Sequence, residues 1–196
     1  MKPIPALDCA ALVEEIRQCR HCTGLPESAR PIVQAARNAR ILIIGQAPGA
    51  RTTAQGRPFD DASGDRLRAW LGLTRDQFYD AGSLAIMPMG FCFPGSSRSG
   101  DKPPRKECAP LWHPRLLESM PQIRLTLLIG HYAQRRYVAG KYASLTETVL
   151  RWRELPADCL PLPHPSPRNQ RWFKNNPWFD AERVPELRRR VQQALA

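Results

Sequence analysis

The sequence predicts an α/β protein in which helices cover both faces of a parallel sheet. Short apolar runs without polar alternation recur along the chain, as in strands that are buried on both faces. Stretches with the helical spacing of apolar residues separate these runs, and strands that alternate with helices form parallel sheets. A chain of 196 residues with 42% hydrophobic content suffices for one core. We therefore expect a single domain spanning residues 1–196.

Four apolar runs are the predicted strands. The first, at 40–45, is unbroken and ends in glycine, and the others lie at 83–87, 125–130 and 159–162. The spacing of apolar residues predicts helices at 7–19, 64–71, 105–120, 131–137, 145–152 and 182–196. The last of these is amphipathic, and we expect it to close the sheet.

The loops that follow the strands are the expected place of function, because open parallel sheets bind ligands at the carboxyl ends of their strands. Loops 45–65, 88–108 and 163–178 are rich in Gly, Pro or Ser. Within the second loop, the stretch 95–105 (GSSRSGDKPPR) has no apolar anchor. We expect this stretch to be a mobile basic loop.

The charge of the chain favours nucleic acid as a partner. Twenty-nine Lys and Arg oppose 18 Asp and Glu, for a formal net charge of +11, and such a balance attracts polyanions. The alternative is a basic protein that is merely soluble. No apolar run approaches the roughly 20 residues that span a bilayer, and the first residues do not resemble a signal peptide. The chain is therefore expected to be a cytoplasmic monomer without membrane contact.

Four of the six cysteines form a candidate metal site. Cys19 and Cys22 are a C-x-x-C pair after the first predicted helix, Cys92 follows the second strand, and Cys108 opens a later helix. Thiols of a reducing compartment hold metal more often than they form disulfides. Four thiolates suit zinc or an iron–sulfur cluster, and the spacing alone leaves both open. Cys9 and Cys159 are expected to be small buried hydrophobic residues.

Two loop motifs resemble those of a known family. The stretch GQAPGARTTAQGRPFDDASGD (45–65) resembles the first motif of the family 4 and family 5 uracil-DNA glycosylases, the iron–sulfur branch of that superfamily, and PHPSPRN (163–169) resembles its closing motif. The resemblance covers roughly residues 19–178. It implies a three-layer α/β/α sandwich with a central, mainly parallel four-stranded sheet, and a [4Fe-4S] cluster on Cys19, Cys22, Cys92 and Cys108. The cluster would support surface loops and take no part in the chemistry.

The resemblance also implies an activity and a set of base-binding residues. The expected activity is hydrolysis of the N-glycosidic bond of uracil, or of another deaminated or modified base in DNA, by a monofunctional glycosylase. The base-binding residues carried over are Gly45, Gln46, Ala47, Phe59 and Pro88. Phe59 would stack on the extruded base, and a buried core phenylalanine is the alternative.

Three residues are candidates for catalysis. The resemblance makes His164 the donor of a hydrogen bond to the base oxygen, which would stabilise the departing anion. A carboxylate is needed to activate water or stabilise the sugar cation, and Asp60 and Asp61 follow Phe59. Asp61 is preferred, because residues 61–65 resemble the family 5 stretch that contains its catalytic aspartate. Asp61 and Ser63 are equally suited to capping the next helix.

The chain departs from the family pattern at the positions of its usual acids and base reader. Gln46 and Ala47 stand where relatives carry acids, and Pro88 stands where family 4 carries an asparagine that reads uracil. We expect the base preference to be relaxed or changed, because a site that bonds a base edge discriminates strongly. The rival hypothesis is an iron–sulfur DNA-binding protein without turnover.

The resemblance implies that the closing loop contacts DNA, since in the superfamily this region enters the minor groove. Residues Ser166, Arg168, Asn169 and Arg171 are expected to bind DNA, with Arg168 or Asn169 filling the gap left by the extruded nucleotide. The neighbouring aromatic residues, Trp172, Phe173 and Trp178, are expected to pack within the protein instead of stacking on bases.

Overall fold

The central sheet has four strands, and all of them are parallel. The computed structural model describes residues 8–98, 100–138 and 143–196. The strand order is β2-β1-β5-β6, with β1 at Ile41–Ile44, β2 at Leu84–Ile86, β5 at Leu125–Ile129 and β6 at Cys159–Leu162. The four predicted runs are confirmed as strands, each within its predicted bounds.

Two hydrophobic cores lie on opposite faces of this sheet. Ile41 and Ile43 pack into one core and Leu42 and Ile44 into the other, and all four side chains are fully buried. Successive residues of a strand point to opposite faces, so an unbroken apolar strand requires cover on both. The predicted three-layer α/β/α sandwich is confirmed.

The helices that cover the sheet follow the predicted order. On one face lie α3 (Ala62–Leu71), α7 (Leu145–Leu150) and α9 (Val184–Leu195), and on the other lie α1 (Cys9–Arg17), α5 (Cys108–Ser119) and α6 (Gly130–Tyr137). The predicted start of the first helix at Leu7 lies outside the described residues. The amphipathic helix α9 buries Leu187, Val191 and Ala194 and contacts α3, β1 and β5, as predicted.

Three short helices in the loops were not predicted. They are α2 (Ala50–Gln55), α4 (Arg75–Tyr79) and α8 (Gln170–Asn175). Each is only one or two turns long, and short helices are too marginal alone to show a clear apolar period. In α4, a capping box between Thr74 and Gln77 satisfies the first N–H groups.

The stretch 95–105, predicted to be a mobile basic loop, contains regular structure. Part of this stretch is an antiparallel hairpin of β3 (Ser96–Ser97) and β4 (Gly100–Asp101). The Lys102 N–H donates to the Gly95 carbonyl at 2.8 Å, and the Ser97 hydroxyl donates to the Gly100 carbonyl at 2.9 Å. Hydrogen bonds hold this hairpin together, although it has no apolar side chains to pack against the core.

No helix within the described residues has the length and apolar character needed to cross a membrane.

Candidate active site and cysteine cavity

A cavity of about 400 Å³ lies at the carboxyl ends of β1, β2 and β6. This is the edge of the sheet where the loops after parallel strands converge. The cavity is lined by nine of the predicted site residues: Gly45, Gln46, Ala47, Phe59, Asp61, Pro88, His164, Ser166 and Arg168. Asp60, Asn169 and Arg171 are not among its lining residues.

Phe59 has a strained backbone at the cavity wall. Its φ is +54°, and it is the one non-glycine residue with positive φ in the described chain. A phenylalanine in the left-handed region costs about 1 kcal/mol or more and persists only where its surroundings impose it. The Phe59 side chain lines the cavity.

Three residues hold the carbonyl of Phe59. The Tyr79 hydroxyl donates to it at 3.2 Å and the buried Arg68 guanidinium at 3.4 Å. Gly64 packs so closely that an added Cβ would lie 1.7 Å from the Phe59 carbonyl oxygen. We call Gly64, Arg68 and Tyr79 the Phe59 clamp.

The ring of Phe59 lies between the core and the cavity. Phe78 contacts it edge-to-face with ring centroids 6.4 Å apart. On another side, a Cβ added to Gly45 would lie 3.3 Å from the ring. Glycine at position 45 therefore lets the ring approach the end of β1. Phe59 both packs against the core and lines the cavity, so each of the two alternatives considered for it holds in part.

The hydrogen bonds of His164 determine its tautomer. The Ser166 N–H donates to Nδ1 of His164 at 3.1 Å, so Nδ1 is an acceptor and the hydrogen of the neutral ring is on Nε2. Burial lowers the pKa of His164, while the carboxylates of Asp61 and Asp101 act in the opposite direction. The ring is thus a neutral donor. Asn169 fixes the loop by donating to the His164 carbonyl at 2.8 Å.

Asp60 and Asp61 have different surroundings. Asp61 lines the cavity and caps α3, with its Oδ1 accepting from the Gly64 N–H at 2.9 Å. Among the described residues, no hydrogen bond is made to its other oxygen, Oδ2. Asp60 instead forms an ion pair with Arg75 at 2.8 Å. The structure therefore brings Asp61 into the cavity and leaves Asp60 out.

Pro88 presents an apolar wall to the cavity. Its carbonyl accepts a hydrogen bond at 3.0 Å from Nε2 of His113, whose Nδ1 accepts from the Tyr137 hydroxyl at 2.6 Å. His113 is neutral, since burial lowers its pKa to about 4. The next residue, Met89, donates its N–H to the Gly45 carbonyl at 2.9 Å. The polar backbone beside Pro88 is thus already bonded within the protein.

The sequence interpretation missed Asp101. This residue lies in β4 and lines the cavity, but it fell within a stretch that was expected to be mobile. One signal was present, because Asp101 is the only acid among the basic and small residues of 95–105.

The closing loop reaches the cavity, whereas the aromatic residues that follow it pack within the protein. Arg168 lies at the cavity beside Gly100 of the hairpin, and Arg171 is exposed on α8. The aromatic rings pack against Trp70, Phe179 and one another, as predicted for Trp172, Phe173 and Trp178.

A second cavity, of about 260 Å³, is lined by all four predicted metal ligands, Cys19, Cys22, Cys92 and Cys108. The thiols are near enough to perturb one another electrostatically. In the described chain, however, no three Cys, His, Asp or Glu side chains converge to hold a single metal ion. A zinc site would require such convergence, with sulfurs about 2.3 Å from the ion.

Burial perturbs the thiols of the cysteine cavity. Burial, followed by smaller effects of the neighbouring cysteines, raises the pKa of Cys108 to about 12 and that of Cys92 to about 11. Arg105 lines this cavity with a buried Nε–H that has no hydrogen-bond partner among the described residues. Four thiolates around a polynuclear cation, with a net negative charge beside Arg105, would satisfy both features.

Cys9 and Cys159 lie apart from this cavity. Cys9 is buried on α1, and Cys159 is half-buried at the start of β6. No disulfide joins any two of the six cysteines.

The fold and the cavity together define an α/β sandwich of the glycosylase type. The family model of the uracil DNA glycosylase superfamily matches residues 32–188, and the chain belongs to this superfamily. It is 27% identical over 173 residues to a type-4 uracil-DNA glycosylase of Sulfurisphaera tokodaii, covering 78% of this chain and 72% of that protein. Within the superfamily it is thus similar to a type-4 member.

Among solved structures, the chain is similar to the solution NMR structure of a candidate uracil DNA glycosylase from Methanosarcina acetivorans. The identity is 19%, the TM-score is 0.48, and the match covers 83% of this chain and 94% of that one.

Proposed function

We propose that this protein is a monofunctional DNA glycosylase that acts as a monomer and hydrolyses the N-glycosidic bond of uracil or of another deaminated or modified base. The observation that carries the proposal is the neutral His164 ring, whose Nδ1 is occupied by the Ser166 N–H, in one cavity with Phe59 and Asp61. An aromatic platform, a donor and a carboxylate are what base excision requires.

The first step is capture of an extruded base. Phe59 offers a stacking surface worth roughly 1–3 kcal/mol, and the Phe59 clamp keeps its ring in place before the base arrives. The small residues Gly45 and Ala47 allow the base to approach the backbone at the end of β1. Gln46, at the edge of the cavity, adds an amide.

The second step is cleavage. As the bond lengthens, negative charge develops on the base, and Nε2–H of His164 donates a hydrogen bond to its oxygen. A preorganised donor of this kind is worth roughly 10²–10³ in rate. The Asp61 carboxylate either activates the attacking water or stabilises the positive charge that develops on the sugar.

Pro88 governs the proposed base preference. It has no side-chain donor or acceptor, and its carbonyl is bonded to His113. A wall without hydrogen-bonding groups cannot discriminate strongly between base edges. We therefore expect release of several deaminated or modified bases instead of uracil alone.

DNA binding rests on the basic surface around the cavity. Ser166 and Arg168 at its edge and Arg171 on the nearby α8 would contact phosphates or the gap in the duplex. With a formal net charge of +11, binding should weaken steeply as salt is raised.

We further propose that Cys19, Cys22, Cys92 and Cys108 hold a [4Fe-4S] cluster. The cavity lined by these four residues and the unpartnered Arg105 Nε–H support it. When bound, the cluster would supply a structural crosslink between the N-terminal segment and the loop after β2. Catalysis belongs to the other cavity.

The test uses the purified protein and oligonucleotides that carry uracil, hypoxanthine or xanthine, as single strands and duplexes. We expect alkali-labile sites from the wild type and at least a 100-fold slower reaction from His164→Ala. Tight DNA binding without release of any base would instead establish the rival, a binding protein without turnover.

The cluster has its own test. A brown preparation with broad absorption near the violet, and iron and sulfide in equal amounts, is expected. A colourless protein that contains zinc would refute the cluster.

A further inference from the structure

The β3–β4 hairpin forms part of the active-site wall. The Gln46 amide lies 3.5 Å from the Lys102 carbonyl, just after β4. On the other side, a Cβ added to Gly100 would lie 2.7 Å from a guanidinium nitrogen of Arg168. The hairpin therefore contacts both the loop after β1 and the loop after β6, and it closes the cavity between them.

Asp101 is the residue that the hairpin brings to the cavity. Its Oδ1 accepts from the Ser96 hydroxyl at 3.2 Å. Its Oδ2 points to the loop after β1, where a Cβ added to Gly49 would lie 3.4 Å away. One oxygen is oriented by the hairpin, and no side chain at position 49 stands between the other and the cavity.

The charge of Asp101 is not compensated by an ion pair. None of the ion pairs of the described residues includes this carboxylate, although Arg168 lies beside the neighbouring glycine. Its field reaches His164, where it acts together with that of Asp61. An unpaired carboxylate at the mouth of a cavity for a polyanion repels phosphates. A carboxylate that weakens DNA binding in this way is expected to contribute to the reaction instead.

The positions of the two carboxylates suggest how they divide the work. Asp61 follows Phe59 closely in the chain and is partly buried, so it lies near the stacked base. Asp101 is exposed and lies near Arg168, where phosphates would bind. The sugar of an extruded nucleotide lies between its base and its phosphates. We therefore expect Asp101 to lie closer to the sugar than to the base.

We propose that Asp101 is a catalytic residue that accepts the proton of the attacking water, an inference that rests on the proposed glycosylase function. The water oxygen bonds to C1′ of the sugar, and one water proton passes to a carboxylate oxygen of Asp101. The C1′–N bond breaks, and its electron pair leaves on the base, whose oxygen is hydrogen-bonded by His164. Asp61 stays ionised and stabilises the cationic sugar.

The experiment measures single-turnover release, by the full chain, of whichever base the wild type excises. We expect Asp101→Asn to be at least 100-fold slower, with DNA affinity unchanged or increased because a negative charge is lost. Ser96→Ala, which removes only the orienting hydroxyl, should be about 3–10-fold slower. Asp76→Asn, at an exposed carboxylate on α4 outside the cavity, is the matched charge control and should retain the wild-type rate.

Chemical rescue separates a proton acceptor from a residue that only shapes the wall. Sodium formate should restore the rate of Asp101→Ala at least 10-fold, and sodium chloride at equal ionic strength should not. A rate for Asp101→Asn within threefold of wild type, or a slow Asp101→Ala without rescue, overturns this proposal and leaves the glycosylase function intact. A wild type that releases no base overturns both.

Discussion

The active-site cavity and the cysteine cavity differ in how their residues are held. The active-site residues lie in the loops that follow the strands and are fixed by hydrogen bonds within the protein, as at His164 and Phe59. Cys19 and Cys22 lie in a stretch without helix or strand, and Cys92 lies in a loop. We therefore expect the chain to preorganise its active site, whereas the order of the cysteine region would depend on the proposed cluster.

The two cavities share one loop and one helix. Pro88 and Cys92 are four residues apart after β2, and α5 begins with Cys108 and carries His113, which bonds the Pro88 carbonyl. Damage at the cysteines should therefore reach the active site through α5 and the wall at Pro88.

The largest expected effect tests preorganisation of the active site. In Gly64→Ala, the new Cβ would lie 1.7 Å from the Phe59 carbonyl oxygen, so the Phe59 clamp must open. A displacement near 1 Å costs on the order of 100-fold in rate, and we expect at least that loss in base release. Gly45→Ala, with its nearest contact at 3.3 Å to the ring, should cost clearly less. Equal rates for Gly64→Ala and wild type would contradict the role of the clamp.

The next prediction addresses the cysteine cavity. Cys92→Ser and Cys108→Ser should each lose iron and lower the free energy of unfolding by about 3 kcal/mol or more, because loss of a bound metal group belongs to the large destabilising changes. Urea denaturation and iron analysis measure both. Cys159→Ser is the matched control outside the cavity and should retain iron. Full iron content in Cys108→Ser would remove this residue from the ligand set.

A third prediction concerns the pH dependence of stability, which should come in part from His113, the residue on α5 that bonds the Pro88 carbonyl. The pKa of His113 is lowered to about 4, whereas an unfolded histidine titrates near about 6.5. Between these values the unfolded chain binds more protons, so stability is full above the unfolded pKa and falls as the pH decreases. We expect a loss of about 2 kcal/mol between pH 7 and 4.5 from this residue.

Urea denaturation at a series of pH values measures this slope. His113→Gln, which cannot take up the proton, should flatten it, and His131→Gln, at an exposed position, should not. An unchanged slope in His113→Gln would show that this residue is not the source.

The smallest expected effects come from two substitutions near Phe59, which test the Phe59 clamp and the choice between Asp60 and Asp61. Tyr79→Phe removes one donor to the Phe59 carbonyl and leaves Arg68 in place, so we expect a cost of about 1 kcal/mol and a several-fold slower base release. Asp60→Asn breaks an ion pair with a half-exposed Arg75 and should change the rate less than twofold. A large loss in Asp60→Asn would make Asp60 the catalytic carboxylate in place of Asp61.

Much of the fold follows from local patterns in the amino-acid sequence. The four strands could be predicted because each is short and mostly apolar, as expected of strands covered on both faces. The helix α9 could be predicted from its amphipathic period. The four cysteines and the two loop motifs were sufficient to indicate the family, because they occur in the same order along the chain as in its members.

Which polar residues meet depends on the tertiary structure. Asp60 and Asp61 are adjacent in sequence, yet a salt bridge with Arg75 turns one away while the cap of α3 keeps the other at the cavity. Asp101 lines the same cavity as Asp61 because it lies in the β3–β4 hairpin. Hydrogen bonds hold this hairpin, so no pattern of apolar residues in the sequence indicates it. Side-chain direction and long-range backbone bonds depend on partners distant in the chain, and local sequence does not encode them.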